Sequence, residues 1–159
     1  MHRGSSSGRR AAAVAAALLA ATGWIGRQEL WAHAGSVPLE WRDLTRQTLA
    51  EPVRAELRVF RSRQALRAYL RRGGRSATVP RLDLREREAV LVAAGPRSSS
   101  AYELEVLGVE EQRTRVVVRV RERTPSLARP GTATLVFPFR LITIDRTGKP
   151  VTLELEGRP

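Results

Sequence analysis

The sequence predicts a mostly-β or α+β fold, with an antiparallel sheet or sandwich of about seven short strands and one helix. Three segments carry this prediction. Residues 53–60 (VRAELRVF) alternate apolar with charged side chains, which is the period of a half-buried strand. Residues 89–94 (AVLVAA) are continuously apolar, as in a strand covered on both faces. Residues 62–72 (SRQALRAYLRR) have a helical apolar period, with Ser62 placed as the N-cap and Gly73-Gly74 as the stop.

Five further strands complete the predicted sheet, over residues 102–109, 115–122, 132–137, 139–145 and 151–155. Glu103 and Glu105 on the first of them are expected to face arginines on the second. Those arginines are Arg119 and Arg121, and opposite charges across an antiparallel pair stabilise a hairpin. Pro138 is expected at an edge, bend or bulge, because its nitrogen cannot donate to a β-ladder.

The first 34 residues have the composition of a targeting segment. A basic start, an uncharged run over residues 11–26 and the triplet Ala32-His33-Ala34 are the three parts of a secretory signal peptide. We therefore expect an exported protein, secreted or in the cell envelope. Either the segment is cleaved after Ala34, or residues 11–26 remain as a signal-anchor. Residues 35–52 show no sustained period and are expected to be irregular, and residues 53–159 are expected to form a single globular domain.

The inventory of reactive side chains argues against an enzyme. The chain has no cysteine, and both of its histidines lie in the first 34 residues. A chain without that segment has no thiolate, no imidazole base and no cysteine-ligated metal site. The serines of residues 98–100 therefore lack a histidine to activate them. Glu103 and Glu105 are expected in ion pairs rather than as an acid and a base. We expect no catalytic residue, no metal site and no cofactor.

The formal charge of +12 invites a nucleic-acid interpretation. However, Lys149 is the only lysine, and phosphate recognition gives no reason to exclude lysine. An arginine-rich codon bias explains the composition more simply, so no nucleic-acid partner is expected. Arg63, Arg67 and Arg71 form a row along the predicted helix, which is an alternative anion-binding site for an envelope polymer or a lipid surface. Solvated arginines whose stems cover apolar neighbours explain the same row.

Two proline-containing loops are the strongest candidates for a binding surface. Residues 95–102 (GPRSSSAY) and 124–131 (TPSLARPG) connect predicted strands, and loops held on a rigid scaffold commonly present contacts to a partner. Ordinary connections between strands are the alternative, and Tyr102 is equally compatible with a core or cross-strand role. The candidate partner-binding residues are Arg97, Ser99, Tyr102, Leu127 and Arg129.

The order of short motifs from about residue 80 to residue 155 follows a known family pattern. A proline and an acid-hydrophobic pair precede an apolar strand that ends in glycine, and a small-residue-plus-tyrosine segment follows. A charged hairpin then closes on a proline, and a threonine-rich strand runs into a proline-aromatic step. These features are Pro80, Asp83-Leu84, residues 89–95, Ser100-Ala101-Tyr102, residues 122–125 and residues 132–139. The pattern resembles the C-terminal domain of the protease-complex subunit PrcB family.

This resemblance implies an exported, non-catalytic accessory protein that binds another extracytoplasmic protein, namely a secreted protease that it stabilises or assists. Ser100 and Ala101 stand where the family usually has glycines, and Leu84 where it usually has phenylalanine. Replacement of these glycines implies either that the loop backbone does not need a positive φ or that the loop is remodelled relative to the family. The Ser-Ser-Ala-Tyr loop is also similar to the threonine-glycine-tyrosine loop of chagasin-type cysteine-protease inhibitors. That likeness implies a protease-inhibitor-like binding module as an alternative.

Overall fold

Ten strands form two four-stranded sheets and one two-stranded sheet, and a single α-helix accompanies them in the part of the chain that the structure describes. This computed structural model describes residues 35–48, 52, 54–72 and 80–156. The predictions made for residues 1–34 and for the glycine stop after the helix lie outside these residues. The mostly-β prediction with one helix is confirmed.

The elements have the following bounds. The strands are β1 (Val37–Pro38), β2 (Trp41–Asp43), β3 (Ala55–Phe60), β4 (Arg87–Ala94), β5 (Arg97–Ser99), β6 (Glu103–Glu111), β7 (Val116–Arg123), β8 (Ala133–Val136), β9 (Phe139–Asp145) and β10 (Val151–Glu156). The helix is α1 (Arg63–Arg71), and a 3-10 helix covers Thr45–Gln47.

Each of the two four-stranded sheets has an antiparallel pair of strands at its centre. The β6–β7 sheet has the order β1-β6-β7-β10, and the β4–β9 sheet has the order β2-β9-β4-β3. Every neighbouring pair is antiparallel except β7 and β10, which run parallel with Val116 opposite Val151. A parallel pair needs a long crossover, and the chain supplies one by passing through β8 and β9 before it returns to the free side of β7.

The main hydrophobic core lies between the two sheets. Val90 and Val92 of β4 and Ile142 of β9 pack in the same buried cluster as Val118 and Val120 of β7. The alternate residues of β4 point the other way, toward a second cluster beneath α1. Strand β4 is therefore covered on both faces, which explains its continuous apolar run.

The helix α1 covers the outer face of the β4–β9 sheet. Ser62 caps it as predicted, since the Ser62 hydroxyl accepts a hydrogen bond of 3.2 Å from the Ala65 amide. Leu66 and Leu70 are buried in the cluster that also contains Leu91. The molecule consequently has three layers over this region, in the order helix, sheet, sheet.

Two details differ from the sequence prediction. Residues 35–48 contain β1, β2 and the 3-10 helix, elements too short to give a recognisable period. The β6–β7 hairpin is present, but its charges pair differently from the prediction, and a β-bulge between Val106 and Gly108 shifts the register of the residues that follow it. Glu105 lies opposite Arg121 as expected, yet its carboxylate pairs with Arg123 at 2.8 Å. Arg119 lies opposite Gly108 and pairs with Glu110.

Candidate functional site

The two loops singled out in the sequence lie together, because β5 and β8 pair as an antiparallel ribbon. We call residues 95–102 and 124–136 the ribbon. The Ser100 amide donates to the Thr132 carbonyl at 3.0 Å, and the Thr132 amide donates to the Ser100 hydroxyl at 2.8 Å. The Ser99 hydroxyl reaches the Pro130 carbonyl at 3.2 Å. The two loops are therefore one continuous surface rather than two separate ones.

Gly131 sets how closely the two halves of the ribbon approach each other. Its φ is +68°, a conformation that side-chain-bearing residues rarely adopt. A Cβ atom at this position would lie 2.6 Å from the Ala101 nitrogen and 2.7 Å from the Ala101 Cβ. The close contact between the loops consequently depends on the missing side chain.

Arg97 anchors the ribbon to the sandwich. Its guanidinium forms two hydrogen bonds to the Glu122 carboxylate of β7, of 2.5 and 3.2 Å, and a third to the Pro96 carbonyl at 2.9 Å. The hydrogen bond to Glu122 raises the pKa of Arg97 above its usual value. The same guanidinium lies 5.9 Å from the centre of the Tyr102 ring, which is a cation–π arrangement. Arg97 and the half-buried Tyr102 thus hold the ribbon in place.

Ser99 also has its hydrogen-bonding capacity occupied within the ribbon. Its hydroxyl donates to Pro130 and accepts from the Ala101 amide at 3.3 Å, and its carbonyl accepts from the Tyr102 amide at 3.3 Å. Arg129 is also bonded internally, through its backbone to Ser126, so four of the five predicted contact residues make internal contacts that shape the ribbon. Whether they also contact a partner stays a prediction.

Two large apolar side chains of the ribbon are exposed to solvent. Leu127 projects from a turn closed by reciprocal backbone hydrogen bonds between Ser126 and Arg129, and its relative exposure is 103%. Leu135 of β8 is 65% exposed and was not singled out from the sequence. The sequence predicts a strand over residues 132–137 without indicating which of its side chains are exposed, and a two-stranded ribbon has no layer above it to cover that face. Leu127 and Leu135 are the free apolar side chains of the ribbon.

An open cleft of about 270 Å³ lies beside the ribbon, between β2 and β9 on one side and β6 and β7 on the other. Glu103 connects the two, since its carboxylate lies 2.6 Å from Arg140 in the cleft and 3.9 Å from Arg129 in the ribbon. The cleft is lined by Trp41, Asp43, Glu103, Glu105, Val106, Arg123 and Arg140. Each carboxylate there has an arginine within 4 Å, as expected for ion pairs. Trp41, which lies in the segment predicted to be irregular, supplies a half-buried aromatic side chain to this lining.

The alternative anion-binding residues belong to another layer. Arg63, Arg67 and Arg71 are all exposed along α1, on the outer side of the β4–β9 sheet. The structure thus separates the row of arginines from the ribbon. Within the described ranges, no group of three acidic or histidine side chains is placed to hold a metal ion. In those same ranges, no helix has the length and apolar character that crossing a bilayer requires.

Fold and site together define a β-sandwich protein that presents a rigid two-loop ribbon beside an ion-paired cleft. Residues 89–145 match the family model described as PrcB C-terminal. The predicted resemblance is therefore confirmed, over a segment shorter than the expected 80–155. The matched segment runs from β4 to β9 and contains the whole ribbon. No curated protein and no solved structure matches the chain.

Proposed function

We propose that this chain is an exported, non-catalytic accessory protein that binds another extracytoplasmic protein, a secreted protease, through the ribbon. The match of residues 89–145 to the PrcB C-terminal family supports a protease-complex role. The ribbon lies entirely within that match, so the surface and the family resemblance concern the same residues. The partner, export and the absence of turnover are parts of this proposal.

One observation carries the assignment of the surface. Leu127 and Leu135 are exposed apolar side chains on a backbone that is already fixed by hydrogen bonds and by Gly131. Apolar anchors on a preorganised surface bind well, because little conformational freedom is lost when the partner docks. Arg97 contributes by holding this surface against β7, rather than by offering a free charge.

The cleft beside the ribbon extends the proposed contact. Its carboxylates are neutralised by arginines, so a charged ligand would have to displace existing ion pairs. An uncharged segment of the partner that packs on Trp41 would leave those pairs intact. We therefore assign the cleft a supporting role, with the ribbon as the main contact.

The test is in-situ crosslinking and pull-down of the tagged full-length protein from its native host, read by mass spectrometry. The double variant Leu127→Asp/Leu135→Asp is compared with Val37→Asp/Leu155→Asp. The control residues are also exposed apolar side chains, at 61% and 64%, but lie on β1 and β10. We expect the ribbon variant to lower recovery of a protease at least tenfold, and the control variant to leave it within about twofold.

Two results would contradict this assignment. Equal losses in both variants would remove the ribbon from the contact, and recovery without any protease would remove the proposed partner. Adding the purified chain to the recovered protease then separates the remaining alternatives. Maintained or raised protease activity supports an accessory protein, whereas a stoichiometric fall in activity identifies an inhibitor-like module.

A further inference from the structure

The helix α1 carries an unneutralised positive charge. Arg63, Arg67, Arg71 and Arg72 lie on or directly after it, and the helix itself contains no acidic residue. All four side chains are exposed, and none makes an ion pair with another residue in the part of the chain that the structure describes.

The strands of the opposite layer are different, because the basic side chains that they carry are neutralised locally. Arg119 pairs with Glu110, Arg123 pairs with Glu105 at 2.8 Å, and Lys149 pairs with Glu111 at 2.7 Å. These pairs belong to the β6–β7 sheet and its neighbouring turn. The helix layer consequently has free arginines where the β6–β7 sheet has ion pairs.

The geometry of α1 explains why the arginine row stays free. Tyr69 points to β3, where its hydroxyl donates to Glu56 and its ring lies 5.0 Å from the Arg58 guanidinium. At 100° per residue, Arg63, Arg67 and Arg71 lie roughly 120–200° around the helix axis from Tyr69. They are therefore on the flank away from the only acid that the helix contacts among the described residues.

We propose that this flank of α1, defined by Arg63, Arg67 and Arg71, docks on an anionic lipid bilayer surface. The row extends about 12 Å along one helix, which presents its guanidinium groups side by side to phosphate-bearing headgroups. Leu66 and Leu70 fix the helix on the sandwich, so the row is already ordered before it binds. The docking is peripheral and electrostatic, without insertion of the helix.

A lipid surface suits this flank better than a nucleic acid does. Proteins that bind single-stranded nucleic acid combine a basic groove with exposed aromatic rings on which the bases stack. The one aromatic residue of α1, Tyr69, is half-buried and bonded to Glu56. Docking on a lipid surface requires only the correctly placed charge, which contributes about fivefold in affinity for each arginine near the surface.

The test measures partition of the full-length chain onto vesicles, either neutral phosphatidylcholine or the same lipid with about one-third phosphatidylglycerol. The variant Arg67→Gln/Arg71→Gln is compared with Arg113→Gln/Arg115→Gln. Both remove two charges, but the control residues are exposed in the turn between β6 and β7. All four side chains lie outside the ion pairs of the described residues, so we expect folding to be unchanged by circular dichroism.

We expect the helix variant to weaken binding to the anionic vesicles by roughly 10–25-fold, and the control to weaken it by less than about threefold. The difference should disappear in 0.5 M salt, where the screening length falls to about 4 Å. Equal losses in both variants, or equal binding to neutral and anionic vesicles, would overturn the proposal. So would tighter binding to an oligonucleotide with the same arginine dependence. The ribbon variant Leu127→Asp/Leu135→Asp should bind vesicles normally. Failure of the lipid proposal can therefore be distinguished from failure of the proposed protease binding.

Discussion

Arg97 and Glu122 form a bidentate ion pair that joins the ribbon to the β6–β7 sheet. The two hydrogen bonds measure 2.5 and 3.2 Å, and the side chains are 27% and 18% exposed. A pair with this geometry and this degree of burial is stronger than an exposed one. The ribbon has only two strands of its own, so its orientation depends on such a connection to the rest of the fold.

Loss of this pair should loosen the ribbon before it affects the sandwich. We expect Arg97→Ala to lower the free energy of unfolding by about 1–2 kcal/mol and to speed amide hydrogen exchange over residues 97–102 and 132–136. The matched control is Arg121→Ala, since Arg121 is 51% exposed and 3.4 Å from its partner Glu156. That variant should cost less than about 0.5 kcal/mol. Exchange that rises uniformly across the protein would contradict the anchoring role.

Gly131 provides a second test of the ribbon. We expect Gly131→Ala to destabilise the protein by at least about 2 kcal/mol or to displace the ribbon, because the new Cβ would collide with Ala101. Gly148→Ala is the control, since Gly148 also has a positive φ but nothing within 4 Å of the added atom. It should cost only about 1 kcal/mol. Thermal unfolding of the two variants measures the difference, and equal costs would show that the contact with Ala101 is unimportant.

The ion pair between the half-exposed Arg61 and the buried Glu88 should respond unequally to removal of its two partners. Glu88 is fully buried and Arg61 is 51% exposed; one carboxylate oxygen lies 2.9 Å from Arg61 Nε. The other carboxylate oxygen has no hydrogen-bond partner in the described part of the chain. Arg61→Gln leaves this carboxylate without its counter-ion, so we expect a loss of about 2–3 kcal/mol.

Glu88→Leu, in contrast, should not destabilise the protein. The leucine fills the same space without a desolvation cost, and Arg61 can still reach water and the Lys149 carbonyl. We expect the free energy of unfolding to stay equal or to rise by about 1 kcal/mol in urea titrations. A loss as large as that of Arg61→Gln would mean that the carboxylate itself stabilises the fold.

Tyr69 predicts a pH dependence at the alkaline end. Burial, followed by the hydrogen bond to Glu56 and the charge of that carboxylate, raises the pKa of Tyr69 well above its usual value. Its contribution to stability is therefore complete below about pH 10 and is lost as the pH rises through the raised value. In Tyr102→Phe, Tyr69 is the only tyrosine left. We expect the absorbance of its phenolate to appear only well above pH 10. A titration midpoint in the normal range of tyrosine would contradict the contact between Tyr69 and Glu56.

Local features of the fold could be predicted because they depend on nearby residues. The Ser62 cap follows from helix-end hydrogen bonding, and the doubly covered β4 follows from its apolar run. Pairing between distant residues could not be predicted in this way. The position of Arg119 opposite Gly108 depends on a β-bulge between Val106 and Gly108, whose effect on register appears only once the two strands are aligned. Glu105 lies opposite Arg121, yet its carboxylate reaches Arg123 diagonally across the strand pair.

The candidate site shows the same division. Its two loops were recognisable from their prolines and small residues, yet their meeting through β5 and β8 is a long-range pairing. The sequence predicts that Arg97 contacts a partner protein. In the structure its guanidinium is already bonded to the carboxylate of Glu122, which lies 25 residues later. Leu135 was missed because its strand pattern is the same whether or not another layer covers it.

The residues that match the family model form the centre of both sheets but not their edges. Residues 89–145 hold both inner strands of each sheet, apart from the first two residues of β4, whereas β1, β2, β3, β10 and α1 all lie outside. A fragment limited to the matched residues would leave four strands as edge strands with unpaired backbone groups, and it would expose the leucine side chains beneath the helix. Such a piece would aggregate by strand addition. The flanking strands therefore protect the matched segment from aggregation by pairing with its strand edges.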